Sequence, residues 1–130
     1  MTDVFDAVAA WLADGRAVAL GRIVSVEGSA PRGAGAAMAV NDHHEVAGSV
    51  SGGCVESALV DAADRVLAEG RPSMAHYAPT DDEWSVGLTC GGEIDVLVEP
   101  ASRWPADALP ALRVALGAGR AVALATVASA

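Results

Sequence analysis

The chain has 130 residues, of which 52% are hydrophobic, a formal net charge of −9 and a mean hydropathy of +0.36. That is the size of one domain, able to bury about two-thirds of its unfolded surface, and its acidity, with eight arginines and no lysine, disfavours nucleic acid and anionic membranes over most of the surface. No apolar run approaches the ~20 residues of a membrane helix, and the acidic, amphipathic N-terminus lacks the basic-then-apolar order of a signal peptide, so the sequence reads as cytoplasmic.

In chain order, Val4, Phe5, Val8, Trp11 and Leu12 fall on one helical face. Their spacing predicts a helix over 3–13, capped by Thr2 and stopped by Gly15. The run 17–26 is β-rich and apolar on both faces, as in a buried strand, and 27–35 is turn chemistry throughout. Residues 36–40 and 45–50 read as a hairpin, with Asn41 and Asp42 in its turn. The clearest element is 54–69, where Val55, Ala58, Leu59, Ala62, Ala63, Val66 and Leu67 repeat at three and four before Gly70.

Residues 71–79 read as a strand, 79–92 as a long polar loop and 93–100 as an alternating strand. Pro105 or Pro110 opens a third helix that reaches about Gly117, and 121–127 reads as a last strand. The hexapeptide GRAVAL occurs at 15–20 and again at 119–124, each time behind an amphipathic helix. The expected fold is a single α/β domain: a mixed sheet of about five to six strands with helices on it, its core tight because the chain carries 29 alanines.

The chemistry concentrates around glycine. Ser51-Gly52-Gly53-Cys54 lies between a strand and the start of the best helix. Unpaired N–H groups there attract anions, and a first-turn thiol has its pKa lowered. The same residues also fit a sharp turn with an apolar, packed cysteine. Thr89-Cys90-Gly91-Gly92 mirrors this arrangement at the start of a later strand. A cytosolic compartment argues against a disulfide between the two cysteines, and no metal-ligand spacing occurs.

Gly33-Ala34-Gly35 resembles a dinucleotide fingerprint, but Met38 replaces the third glycine and a strand comes next, which excludes a Rossmann site. Arg32 is a candidate phosphate partner or a solvated turn arginine, and Ser29 could contact the same ligand. His43 and His44 read as a solvated hairpin tip and His76 as structural. Asp81, Asp82 and Glu83 form a solvated loop or a helix start, beside Trp84. No Ser–His–Asp order and no carboxylate dyad stands out.

The segments SVEGSAPRGAGAAMAV, VAGSVSGGCVESALVDAA and DDEWSVGLTCGGEIDVLVEP, in this order, resemble the XdhC/CoxI family of xanthine dehydrogenase accessory factors over roughly residues 15–100. The resemblance implies a cytoplasmic maturation factor rather than an enzyme. Such a factor binds molybdenum cofactor (molybdopterin) as cargo, protects it during sulfuration by a cysteine desulfurase and helps insert it into an apo-molybdenum hydroxylase. It implies cofactor-binding positions at Ser29, Pro31 and Arg32; Ser51, Gly52, Gly53 and Cys54; and Thr89, Cys90, Gly91 and Gly92.

The resemblance also implies a second, Rossmann-like domain in full-length members, which these 130 residues are not expected to include. Residues 1–100 would then be the family domain, and 101–130 an extension toward that missing domain or toward a partner, either a second chain or another copy. The residues leave two further classes open: a thiol-dependent enzyme using Cys54 or Cys90 for persulfide or redox chemistry, and an oligomerisation module without ligand binding.

Overall fold

A computed structural model describes residues 2–30, 32–51, 55–78 and 92–127. Three helices, α1 (Thr2–Ala13), α2 (Glu56–Glu69) and α3 (Ala108–Gly117), accompany five strands: β1 (Val18–Glu27), β2 (Ala37–Asn41), β3 (Val46–Gly48), β4 (Ser73–Tyr77) and β5 (Glu93–Pro100). The strands form one sheet in the order β3-β2-β1-β5-β4. The α/β class and the strand number are as the sequence predicts. All four pairings are antiparallel, so the described sheet has no parallel pair.

β1 lies in the middle, and its alternation sorts the core into two layers. Ala19 and Ile23 point with Met38, Val40, Ile94, Val96 and Val98 toward Leu59, Ala62, Ala63 and Val66 of α2. Val18 and Leu20 point the other way, with Ala37 and Ala39, toward Val4 and Val8 of α1, where Trp104 and Leu109 also pack. α2 joins β3 at one edge of the sheet to β4 at the other. Its Gly70 ends it in the left-handed region (φ 69°), donating to the Val66 carbonyl as a helix C-cap does.

The hairpin tip forms as Asn41 dictates. Its Oδ1 accepts from the His43 and Glu45 amides at 2.9 and 3.0 Å, an Asx-type turn. His44 takes the positive φ of 62° that a turn glycine would otherwise supply, and its Nε2 lies 2.9 Å from an Asp64 carboxylate oxygen. His43 pairs with Arg16.

The repeated hexapeptide is a real local repeat. Gly15 donates to Leu12 and Arg16 to Trp11; Gly119 donates to Leu116 and Arg120 to Ala115, at matching distances of 3.1 and 2.9 Å. Both glycines have positive φ, 79° and 70°. The two copies then diverge. Val18 starts β1, whereas 121–127 forms no strand, contrary to its β-rich composition. β propensity is expressed only beside a neighbour that offers a hydrogen-bonding edge. α3 contacts α1 over one sheet face, and the chain leaving it reaches Arg22 on that face rather than an open edge. The third helix begins at Ala108, one turn after Pro105, whose carbonyl accepts from the Ala108 amide.

Gly48, the last residue of β3, is a backbone requirement. Its φ is +80°, and a Cβ there would sit 2.4 Å from the Ala37 carbonyl oxygen and 2.6 Å from Val4 Cγ2. Gly48→Ala should therefore lower stability in urea denaturation by about 2–3 kcal/mol, combining positive-φ strain with the clash. Gly15→Ala, at a similar φ but with open space around it, should cost only about 1 kcal/mol.

Candidate functional site

Because every pairing is antiparallel, β1, β3 and β4 end where β2 and β5 begin, and α2 starts from the same end of the sheet. The loops after β1 and β3 open there, as does the connection between β4 and β5. The described parts of the three glycine-rich motifs (28–30 and 32–35, Ser51, and Gly92) therefore lie at one end of the sheet, an arrangement that four antiparallel pairings impose and that no single motif reveals.

Two contacts tie the described parts of the motifs together. Gly92 is buried, and a Cβ on it would lie 2.0 Å from the Ser29 carbonyl oxygen. Only glycine allows the third motif to meet the first so closely. The second contact is a cavity of about 560 Å³ whose walls include Arg32, Gly33 to Ala36, Gly48, Ser49 and Asp3. Arg32 is exposed and makes no hydrogen bond or ion pair among the described residues. Gly52, Gly53, Cys54, Thr89, Cys90 and Gly91 lie outside the described residues, as do Pro31, Asp81, Asp82, Glu83 and Trp84.

Ser51 is only 1% exposed, and its hydroxyl has internal partners. It donates to Glu56 Oε2 at 2.5 Å and accepts from the Val55 amide at 3.0 Å. Glu56, which the sequence did not single out, is the hub of this corner. Its Oε1 accepts from Ser49 Oγ at 2.6 Å, from the Ser51 amide at 3.0 Å and from the Val50 amide at 3.3 Å. A carboxylate thus already sits at the amino terminus of α2, where the helix dipole favours negative charge. The expectation of a ligand anion at that terminus must contend with this internal one, and Arg32 is the cation beside the adjoining cavity.

On the sheet face turned away from α2, Ser25, Asp95 and His76 form a cross-strand chain. Asp95 accepts from Ser25 Oγ at 2.6 Å and lies 2.6 Å from His76 Nδ1. The hydrogen bond to Asp95 raises the His76 pKa, and Glu93 and Glu27 add to the effect. The bond from Ser25 is foremost in lowering that of Asp95. The order is Ser–Asp–His, so the imidazole does not reach the hydroxyl as a base would. The signal in the sequence was the placement of His76 and Asp95 on facing strands, which becomes visible only with the register.

Burial works to raise the Glu56 pKa. Hydrogen bonds from the Ser49 and Ser51 hydroxyls, the Ser51 amide and its own amide outweigh it, bringing the value from 4.5 down to about 2. A depressed folded-state pKa contributes stability that is complete above the unfolded value and is lost as pH falls through the folded one. Unfolding free energy should therefore drop between pH 4.5 and about 2, by about 2 kcal/mol after allowing for solvent screening. Glu56→Gln should be less stable at neutral pH and should lack this part of the acid slope; an unchanged slope in urea titrations across that range would assign it to other carboxylates.

With this geometry in place, known proteins supply a frame. The chain is 35% identical over 119 residues to a probable xanthine dehydrogenase subunit from Bacillus subtilis, covering 87% of this chain and 35% of that protein. It is 35% identical over 83 residues to the molybdenum cofactor insertion chaperone PaoD of Escherichia coli, covering 64% of this chain and 26% of the other. A crystal structure of a xanthine dehydrogenase from Bacillus halodurans superposes with a TM-score of 0.75 at 29% identity, over 90% of this chain and 36% of that one. The chain thus spans about a quarter to a third of the length of these relatives. The model of the XdhC and CoxI family matches residues 11–78, more than half of the sequence, and the chain belongs to that family.

Proposed function

We propose that this chain is the cargo-holding part of a maturation factor for molybdenum hydroxylases of the xanthine dehydrogenase or CO dehydrogenase type. It binds molybdenum cofactor at the motif end of the sheet, shields it while a cysteine desulfurase supplies sulfur, and delivers it to the apo-hydroxylase. Residues 101–130 lead toward the rest of a longer protein or toward a partner subunit. Membership of the XdhC and CoxI family supports the pathway, as does the name of the E. coli relative.

The observation that carries the reading is Arg32, without a partner among the described residues, on the wall of the 560 Å³ cavity it shares with Ser49 and the 33–36 loop. A guanidinium with donors to spare suits the terminal phosphate of a pterin cofactor. An acidic protein that holds an anion needs such a local cation, since its overall field opposes binding. Ser29 and Gly92 meet backbone to backbone where the first motif approaches the third, and Glu56 holds Ser51 at the start of the second. The cargo brings its own metal and dithiolene, so the chain's task is to bind, orient and exclude water rather than to turn over substrate.

Purified chain incubated with molybdenum cofactor released from a donor enzyme should co-elute with it in gel filtration. Arg32→Ala should weaken retention about thirty-fold, the loss of a charge-assisted contact worth about 2 kcal/mol. Failure of the intact chain to retain any cofactor would overturn the reading.

A further inference from the structure

We propose that a second cavity, beside Arg22, is a compartment for a planar heterocycle with a hydrogen-bond-accepting edge, which for the cargo named above is the pterin ring. The identity of the ring rests on the proposed function; the compartment rests on its own geometry. The cavity has a volume of about 470 Å³, with walls that include Phe5, Val24, Leu97 and Leu124 around Arg22 and Thr126. Apolar walls with one or two convergent polar groups characterise small-molecule sites.

Arg22 is the polar group. Its Nη2 donates to Glu99 Oε1 at 2.8 Å and to Thr126 Oγ1 at 2.6 Å. Its Nε is buried with no partner, the sole such side-chain atom among the described residues. Buried donors are rarely left unpaired without a reason. The guanidinium therefore keeps donors in reserve at the wall of a cavity large enough for a bicyclic ring. Val24, at the bulge where the β1–β5 register shifts between Ile23 and Ser25, is 42% exposed, and Leu124 is 40% exposed. These are apolar surfaces that a flat ring would cover on either side.

The two cavities are neighbours: Ala34 and Gly35 line both, and in the proposed arrangement one molecule places its phosphate on Arg32 and its ring beside Arg22. The segment holding Leu124 and Thr126 has no strand neighbour among the described residues and also lines a further cavity of about 260 Å³, with Glu99, Trp104 and Ala108.

Equilibrium dialysis of the full chain against pterin itself, which carries no phosphate, tests the compartment directly. Binding should be saturable at one per chain. It should be at least about ten-fold weaker in Val24→Trp, which fills the cavity, and in Arg22→Lys, which keeps a charge for Glu99 but loses the fork. Arg32→Ala should leave pterin binding unchanged while weakening inorganic phosphate binding, and thermal melting should show Val24→Trp still folded. Absence of saturable pterin binding, or binding indifferent to Val24→Trp, overturns the compartment. Pterin binding that depends on Val24 in a chain that fails to retain whole cofactor would instead overturn the proposed function and leave the compartment standing.

Discussion

Arg22 occupies the middle of the central strand, and its guanidinium needs a counter-charge that the strand itself cannot supply. Glu99, diagonally across the β1–β5 pairing where Leu20 faces Glu99 and Arg22 faces Leu97, provides it from a position only 2% exposed. Neither charge tolerates solitude: removing one partner of a buried pair costs about 3–5 kcal/mol. The surroundings are arranged around that demand. Trp104 Nε1 donates to the same Glu99 oxygen at 2.9 Å, and its ring lies 5.7 Å from the guanidinium. Phe5 of α1 meets that ring at a centroid distance of 6.0 Å. The 3-10 turn Ala101–Arg103 comes directly after β5 and delivers Trp104 to its place. One ion pair thereby orients α1, the turn after β5 and the segment bearing Thr126.

At the motif end, a different carboxylate organises the backbone. Glu56 gathers the Ser49 and Ser51 hydroxyls and the Val50 and Ser51 amides, groups that would otherwise be free for an external anion. The polar groups of this end therefore differ in kind: Ser49, Ser51 and Glu56 bond to one another, while Arg32 is exposed and unpaired among the described residues. Gly92 contributes by having no side chain, since the Ser29 carbonyl occupies the space one would fill.

Much of this was legible in the residues. Helical spacing placed α1 and α2 to within two residues, and left-handed glycines at 15 and 70 ended them as anticipated. Asn41 announced its turn because the interaction is local: donor and acceptor are two to four residues apart. What stayed hidden is non-local. Arg22 and Glu99 are separated by 77 positions, and Ser25 and Asp95 by 70; only the register makes them neighbours. Ser51 reads as a candidate ligand contact in the sequence, where its hydrogen bond to Glu56, five residues on, is not visible. The run 121–127 misled for the opposite reason: its local preference is strong, and the deciding factor is that no described strand lies beside it.

That run also has a consequence for handling the molecule. Residues 121–127 are uncharged, β-prone and free of proline, with Val122, Leu124 and Val127 exposed at 45%, 40% and 74%. Such a segment, with no ladder partner among the described residues, is the composition from which intermolecular cross-β stacking nucleates. The net charge of −9 keeps copies apart at neutral pH and low salt. As the pH falls toward the isoelectric point near 4.5, that repulsion vanishes while the segment's appetite for a neighbour does not. The same acidity that keeps this chain dispersed at neutral pH is thus what guards its exposed apolar run, and it is withdrawn by protonation before any contact in the fold need break.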